Sequence, residues 1–151
     1  MSVTEKLDLG QLGQSLGFAL RMSQLAVFSE FYAALGQFGM KPGEFSILYL
    51  LDRNPDARQG EIAERLQIKR AHMTKLVRSF EDRGLVSRRV PDDDRRAVLL
   101  RLTPEGEAFV ADHAAAFFGY HAQADAGRLT AQERTQLLAL LQKFSGLEAR
   151  T

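Results

Sequence analysis

Cysteine is absent from the 151 residues, so the chain forms no disulfide, no thiolate metal site and no cysteine-based oxidation switch. No run of residues approaches the ~18 consecutive apolar side chains that a membrane-spanning helix requires. The N-terminus, MSVTEKLDLG, lacks the basic region followed by an apolar region that marks a secretion signal. We therefore expect a cytoplasmic protein that does not associate with a membrane.

The sequence also lacks the short motifs of several common catalytic mechanisms. It contains no glycine-rich phosphate loop, no HExxH and no GxSxG. Its three histidines have no cysteine near them and make a weak case for a metal site. We expect neither an enzyme nor a bound metal or cofactor. The apolar fraction of 45% and the charged fraction of 26% are typical of one folded domain, or of one protomer of a tight dimer.

The formal net charge is only +1, which is low for a protein that binds a polyanion. The distribution of charge is more informative than its sum. Residues 69–101 carry ten basic and five acidic side chains, whereas residues 1–68 and 102–151 each carry two more acidic than basic ones. One basic segment between two mildly acidic ones indicates a localised contact with a polyanion such as DNA.

The basic segment opens with a short amphipathic helix. At 3.6 residues per turn, one stripe is apolar and wide enough to bury one side of the helix. The opposite face offers cations, a hydroxyl and a small side chain, which suit base edges, phosphates and a thymine methyl in the major groove. An ordinary helix with a solvated basic face is the alternative. The apolar stripe comprises Met73, Leu76, Val77 and Phe80, and the polar face Ala71, Thr74, Lys75 and Arg78, with Arg70 and His72 on its flanks.

Two short strands around the turn PDDDRR predict a β-hairpin after this helix. Gly84 ends the helix, since glycine adopts the left-handed conformation at little cost. Arg95 and Arg96 then lie at or near the hairpin tip, where an arginine can enter the minor groove. Asp94, or another of the three aspartates, could orient such an arginine by a charge-assisted hydrogen bond. The alternative is that PDDDRR is only a well-solvated turn.

The run LQIKRAHMTKLVRSFEDRGLVSRRVPDDDRRAVLLRLTPEGEAF resembles the winged helix-turn-helix region of the MarR family of bacterial transcription regulators. The resemblance implies a homodimeric, ligand-responsive DNA-binding protein. In it, the helix from about Arg70 to Arg83 reads the major groove and Arg95, the first arginine after the wing aspartates, reaches the minor groove. Lys41 and Arg58 depart from the family, which favours Thr or Ser near these helix starts, and Arg58 could compensate by touching a phosphate. The expected DNA-binding residues are Arg58, Lys69, Arg70, Ala71, His72, Thr74, Lys75, Arg78, Arg88, Asp94, Arg95 and Arg96.

The fold class expected is mainly α with a small β-hairpin wing. Residues 40–103 form the winged helix-turn-helix lobe, and residues 1–39 and 104–151 form a helical dimerisation lobe within the same single domain. In the DNA-binding lobe we predict helices over 44–52, after Pro42 at a first helical position, and over 60–66, with RNPDARQ as a loop between them.

The segments outside the DNA-binding lobe are predicted to be long helices. Leu9 to Phe38 reads as one helix that is apolar almost all round, so it is either a central core helix or partly covered by a second subunit. A further helix begins at Thr103-Pro104-Glu105 and extends to about Gly127, and Thr130 opens a capping box for the last one. Because the last helix has a wide apolar surface, we expect it to pack on Leu9 to Leu20 of the other subunit.

Some of the aromatic side chains could line a pocket for a small-molecule effector. Most of the aromatic side chains must belong to the core. The resembled family places a pocket where the first, second and fifth helices meet the DNA-binding lobe, and apolar walls with a few polar groups suit an aromatic acid, a phenol or an acyl thioester. The candidates are Phe18, Met22, Phe45, Tyr49, His113 and Phe117, with Arg21 as the partner of an anion.

Together these observations predict a dimeric, sequence-specific repressor that a small, aromatic effector releases from a palindromic operator. Its partners would be double-stranded DNA, a second copy of the chain and that effector. A ligand-independent architectural DNA-binding protein with the same helix and wing is the main alternative. A winged helix that serves only protein contacts is a further one, which the basic segment disfavours.

Overall fold

The computed structural model describes residues 7–124 and 128–147. The elements are mostly helical, and a small three-stranded sheet takes one short strand from between the second and third α-helices and two from between the fourth and fifth. The elements are α1 (Leu16–Leu35), α2 (Pro42–Arg53), β1 (Ala57–Arg58), α3 (Gln59–Arg65), α4 (Arg70–Asp82), β2 (Val86–Arg89), β3 (Leu99–Leu102), α5 (Pro104–Ala124) and α6 (Ala131–Ser145). None of the helices described in these two ranges is long and apolar enough to cross a membrane.

The helices and the hairpin that were predicted for the winged helix-turn-helix lobe, residues 40–103, are present. Helices α2, α3 and α4 begin and end within about two residues of the predicted bounds, and Gly84 has the expected left-handed conformation, with φ of +72°. Strands β2 and β3 pair in antiparallel fashion, with Ser87 opposite Arg101.

The prediction of a simple loop over RNPDARQ is wrong, because part of it forms a third strand. β1 pairs with β3, so that Ala57 lies opposite Leu100 and Arg58 opposite Leu99. The backbone N–H of Gln59 also donates to the carbonyl of Val98 at 2.8 Å. A two-residue strand has no period that a sequence pattern can reveal, and its backbone is satisfied only by a segment some 40 residues away.

The core of this lobe is built around α2. Phe45, Ile47, Leu48 and Leu51 are buried along it, and they pack in one cluster with Met73, Val77 and Phe80 of α4 and Leu100 of β3. Ile62 and Ala63 of α3 join the same cluster, with Leu66 packed at its edge. The three helices and the wing therefore share one core, which fixes the position of α4 relative to the wing.

The first helix is not continuous, contrary to the sequence prediction. A 3₁₀ segment over Gly10–Gln14 precedes α1, and a second one over Gly36–Phe38 follows it. Ser15 separates the first of these from α1 because its backbone is extended, with ψ of 122°, and its hydroxyl accepts a hydrogen bond from the Phe18 N–H at 3.3 Å. Glycines at 10, 13 and 17 weaken this stretch by roughly 1 kcal/mol each relative to alanine, so the N-cap decides where the α-helix begins.

The predicted starts of the last two helices are confirmed. The Thr103 hydroxyl accepts from the Gly106 N–H at 3.1 Å, and Pro104 is the first residue of α5. Thr130 and Glu133 form the reciprocal capping box of α6, with hydrogen bonds of 3.1 and 2.8 Å. The predicted end of α5 near Gly127 lies outside the described residues.

Candidate nucleic-acid interface

Helix α4 has the two faces that its sequence predicts. Met73, Val77 and Phe80 are buried and Leu76 is half-buried. The opposite face is exposed along its whole length and presents Lys69, Arg70, Ala71, His72, Thr74, Lys75 and Arg78. The Thr74 hydroxyl donates to the Arg70 carbonyl at 3.0 Å, so its position on this face is defined. The cations of α4 are available to a polyanion, while its apolar side anchors it.

The turn between α3 and α4 sets the angle at which α4 leaves the core. Gln67 has a left-handed backbone with φ of +56°, and the Ile68 N–H donates to the Ala63 carbonyl at 2.8 Å. Lys69 then precedes the first residue of α4 with an extended backbone. This tight, hydrogen-bonded connection is typical of helix-turn-helix units.

The wing is organised around Asp94. Its carboxylate forms an ion pair with the Arg58 guanidinium at 3.2 Å and accepts the backbone N–H of Arg96 at 3.1 Å. Its carbonyl accepts the Ala97 N–H at 3.1 Å. The sequence predicted that a wing aspartate holds a wing arginine, and that detail is wrong. The side chain that Asp94 holds is Arg58, from the strand before α3, and both Arg95 and Arg96 are exposed.

Two further ion pairs border the wing. Arg88 lies 3.4 Å from Glu81 at the end of α4, so this predicted DNA-binding cation has a protein partner. On the sheet, Arg101 donates to both oxygens of Asp56, a residue with φ of +62°. These hydrogen bonds lower the pKa of Asp56 and raise that of Arg101. Asp56 and Arg101 are 45 positions apart, so no local sequence pattern predicts that they pair.

A notch of about 430 Å³ lies between the wing, the start of α3 and the start of α4. Three of the predicted DNA-binding residues converge on it from different elements: Arg58, Arg70 and Arg96. Glu61 and Glu64 of α3 line the same space. Arg58, Glu61 and Glu64 are close in sequence at the start of α3, but nothing in the sequence places Arg70 and Arg96 beside them, since α3, α4 and the wing meet only in the folded chain.

The structure does not bring the predicted effector residues together at one pocket. Phe45 and Phe117 stack with ring centres 4.3 Å apart, and on one side of this stack they enclose, together with His113, a cavity of only about 10 Å³. That volume holds no more than a water molecule. The remaining lining residues are Phe31, Leu35, Met40 and Phe109. One protomer therefore has no effector-sized pocket at this position.

Phe117 also lines a second, open cleft of about 260 Å³. Tyr49, Phe117 and Phe118 form aromatic walls, and Arg65 from the last turn of α3 lines it as well. Arg65 is not among the residues predicted for the effector site, because in sequence it looks like any solvated cation at a helix end. Phe18, Arg21 and Met22 lie on α1 and line neither space. Among the described residues, no group of three or more His, Asp or Glu side chains is placed to hold a metal ion.

A third surface is apolar and exposed. Helix α6 buries none of its residues, and the segment before α1 is open as well. Exposed apolar areas of this extent are uncommon on monomeric proteins and mark contact sites. The exposed side chains are Leu9, Leu12 and Leu16 near the N-terminus and Leu137, Leu138, Leu140, Leu141, Phe144 and Leu147 near the C-terminus.

Comparison with known proteins gives consistent results. A sequence model of the MarR family matches residues 40–98. A transcriptional regulatory protein for the hcr operon of Thauera aromatica is 30% identical over 143 residues, which are 94% of this chain and 86% of that protein. The repressor CouR bound to a 23-mer DNA duplex is similar at a TM-score of 0.85 and 34% identity, over 93% of this chain and 99% of CouR. CouR bound to p-coumaroyl-CoA gives a TM-score of 0.82 and 32% identity, over 93% and 98% of the two chains.

Proposed function

The chain belongs to the MarR family of transcriptional regulators, and from this membership we propose a homodimeric repressor that an aromatic acid, phenol or acyl thioester releases from a palindromic operator. The proposed activity is binding rather than catalysis. Because the target is genomic DNA, we expect the protein to act in the cytoplasm.

The observation that carries the proposal is the rigid pairing of the α4 polar face with the wing. Helix α4 connects to β2 through Gly84, and β1 joins the far strand of the wing to the start of α3. Helix and wing therefore keep a fixed separation, as two elements that enter neighbouring grooves must. In this proposal the exposed face of α4 reads the major groove and Arg95 enters the minor groove.

The exposed apolar surfaces support a dimer. In our proposal α6 of one protomer covers the leucines at 9, 12 and 16 of the other, and the reverse contact completes the pair. Each buried square ångström of apolar area contributes about 25 cal/mol, so covering these side chains favours association. A two-fold dimer would present its two α4 helices about 34 Å apart, which matches one turn of duplex and a palindromic site.

For the effector we propose the open cleft rather than the closed cavity. Its aromatic walls suit a planar ring, and Arg65 takes the role of anion partner that the sequence analysis assigned to Arg21. Arg65 belongs to α3, which packs under α4, whereas Phe117 and Phe118 belong to α5. A ligand held by both would bias the angle between the two lobes and so the spacing of the α4 helices. The similar repressor CouR binds p-coumaroyl-CoA, which supports an aromatic acyl thioester as effector.

Selection of duplexes from a random-sequence pool tests the DNA-binding proposal. The expected result is a palindrome whose half-sites lie one helical turn apart and which the protein prefers over random duplex at every salt concentration. Binding without sequence preference would instead favour the architectural alternative and overturn the proposal.

A separate titration tests the effector. We expect p-coumaroyl-CoA, or its free acid, to release the selected duplex, and Arg65→Ala to need a higher concentration for release than Arg53→Ala, a matched loss of an exposed cation outside the cleft. Equal behaviour of the two variants would remove Arg65 from the site. Failure of both compounds to release the duplex would reject this effector class and leave the operator result intact.

A further inference from the structure

The notch between α4 and the wing has an unusual set of cations. Arg58 comes from β1, Arg70 is the first residue of α4 and Arg96 lies in the wing. Each guanidinium has up to five donors in a rigid planar fork, the geometry that suits phosphate oxygens. Three such groups from three elements meet at one space of about 430 Å³.

In the described part of the chain, two of the three cations form no ion pair with a carboxylate. Arg58 is paired with Asp94 at 3.2 Å. Within residues 7–124 and 128–147, no carboxylate forms an ion pair with Arg70 or Arg96. Glu61 and Glu64 line the same notch, but among the described residues neither forms an ion pair with Arg70 or Arg96. An anion held between the two guanidinium groups would be attracted by both and would offset their mutual repulsion.

The geometry of DNA indicates which anion belongs there. Neighbouring major and minor grooves are separated by a single sugar-phosphate strand. If α4 lies in one groove and the wing tip in the next, that strand must pass between them, through the notch. Resting on the DNA-binding mode proposed above, we propose that the notch is a seat for one backbone phosphate of this strand. Arg70 of α4 and Arg96 of the wing hold the phosphate from two sides. Arg58 is a third donor and at the same time retains its ion pair with Asp94.

The two carboxylates of α3 make the seat selective for a phosphate within a strand. Glu61 and Glu64 line the notch and repel a free anion that arrives from solution. When duplex is bound, the contacts in the two grooves hold the strand beside the notch. The effective concentration of its phosphate there is therefore high, which offsets the repulsion. Gly60 leaves room for the strand, because no atom lies within 4 Å of the position that a Cβ would take there. This phosphate contact does not discriminate between base sequences, but it fixes the register in which α4 and the wing meet the bases.

A scan with single methylphosphonate linkages tests the seat, since each replaces one charged phosphate by a neutral group. The duplex is the palindrome obtained by selection. We expect one linkage per half-site, between the base pairs protected by α4 and those protected by the wing, to reduce affinity roughly tenfold or more, as for a hydrogen-bonded charge. Arg70→Ala and Arg96→Ala should each reduce the affinity for the unmodified duplex by a similar factor. In these variants the neutral linkage should reduce the affinity little further.

Arg53→Ala is the matched control, because it removes an exposed cation that does not line the notch. In this variant the loss from the neutral linkage should be as large as in the unaltered protein. Arg70→Lys and Arg96→Lys, which keep the charge without the fork, should lie between the alanine variants and the unaltered protein. Circular dichroism and size-exclusion chromatography verify that each variant is folded and dimeric.

Two results would overturn the seat. One is that the neutral linkage, at whichever position it is placed, weakens DNA binding by Arg70→Ala or Arg96→Ala as much as it weakens binding by the unaltered protein. The other is that inorganic phosphate displaces duplex far better than chloride at equal ionic strength, which would indicate a free-anion site. Either result leaves the selected palindrome in place, whereas failure of the proposed function would leave no preferred duplex to scan.

Discussion

Arg58 and Asp94, which are 36 residues apart in the chain, form an ion pair of 3.2 Å that joins the start of α3 to the wing. The backbone of Arg58 is held as well, because it pairs with Leu99 of β3. The wing is thus attached to the helix-turn-helix at two points, one through backbone hydrogen bonds and one through side chains. A β-hairpin alone is marginally stable in water, so these attachments decide how well the wing arginines are positioned before DNA arrives.

Asp94→Ala should weaken operator binding even though it removes a negative charge beside the DNA. The substitution frees Arg58 and leaves the Arg96 N–H without its acceptor. An exposed ion pair and a hydrogen bond contribute roughly 1 kcal/mol each, so we expect a loss of about tenfold in affinity, measured by fluorescence anisotropy on the selected duplex.

Asp92→Ala and Asp93→Ala are the matched controls, because both carboxylates are exposed neighbours in the same turn. Each should bind DNA as well as the unaltered protein or more tightly, since only repulsion is lost. If Asp94→Ala also strengthens binding, Asp94 does not position the wing.

Arg95→Ala should reduce operator affinity strongly and leave the dimer intact, because the side chain is exposed at the wing tip and contributes nothing to the core. Loss of a specific arginine contact costs roughly 1–3 kcal/mol and relaxes preference at the base pairs it reads. Repeating the duplex selection with this variant measures that preference. Unchanged affinity and unchanged preference at physiological salt would remove Arg95 from the interface.

The double substitution Leu140→Glu with Phe144→Glu should convert the dimer to a monomer. Both side chains are about two-thirds exposed in one protomer, at 65% and 66%, so the fold of the chain should tolerate the change. Burying either in a partner contributes roughly 1.5–3 kcal/mol, and a buried carboxylate adds a further penalty. Size-exclusion with light scattering at micromolar concentration gives the mass. Val90→Glu, at a wing residue that is 50% exposed, is the control and should remain dimeric.

Gly106→Ala should destabilise the protein, because a Cβ at this position would lie 2.0 Å from the carbonyl oxygen of Leu85. The same carbonyl accepts the Thr103 N–H at 3.0 Å, so the start of α5 cannot move away from Leu85 without losing that bond. We expect the free energy of unfolding to fall by roughly 1–3 kcal/mol, as for other overpacked sites.

Gly119→Ala on the same helix is the comparison, since nothing lies within 4 Å of its added Cβ. It should stabilise α5 by up to about 1 kcal/mol through helix propensity. Urea unfolding measures both variants, and equal effects of the two would contradict the close approach at Gly106.

Asp56→Asn should alter the acid sensitivity of the fold. Hydrogen bonds from Arg101 lower the pKa of Asp56 below its ordinary value of 3.8. A lowered folded-state pKa means that the stabilisation is complete above the ordinary pKa and is lost as the pH falls through the folded-state pKa. The variant should therefore be slightly less stable than the unaltered protein at neutral pH, and the difference should vanish in acid. Urea unfolding from pH 7 to pH 2 measures it; a difference that does not change with pH would contradict the assignment.

Much of the helix-turn-helix could be predicted from sequence because its signals are local. The stripe of Met73, Val77 and Phe80 follows from the period of one helix, and Gly84 and Pro104 mark helix ends by their own backbone preferences. The capping box at Thr130 spans only four residues. Each of these features depends on neighbours within about two helical turns, so the sequence pattern contains all the information needed.

The sequence by itself determined the positions of α2, α3 and α4, the starts of the last two helices, the apolar face of α4 and the concentration of positive charge in one segment. Only the tertiary structure decided that Arg58 rather than a wing arginine pairs with Asp94, that β1 completes the sheet, and that Arg65 lies beside the aromatic cleft. Those relationships join residues that are distant in the chain. Their distances depend on how the shared core around Phe45 and Leu48 packs the elements against each other, and a pattern within one segment does not encode that packing.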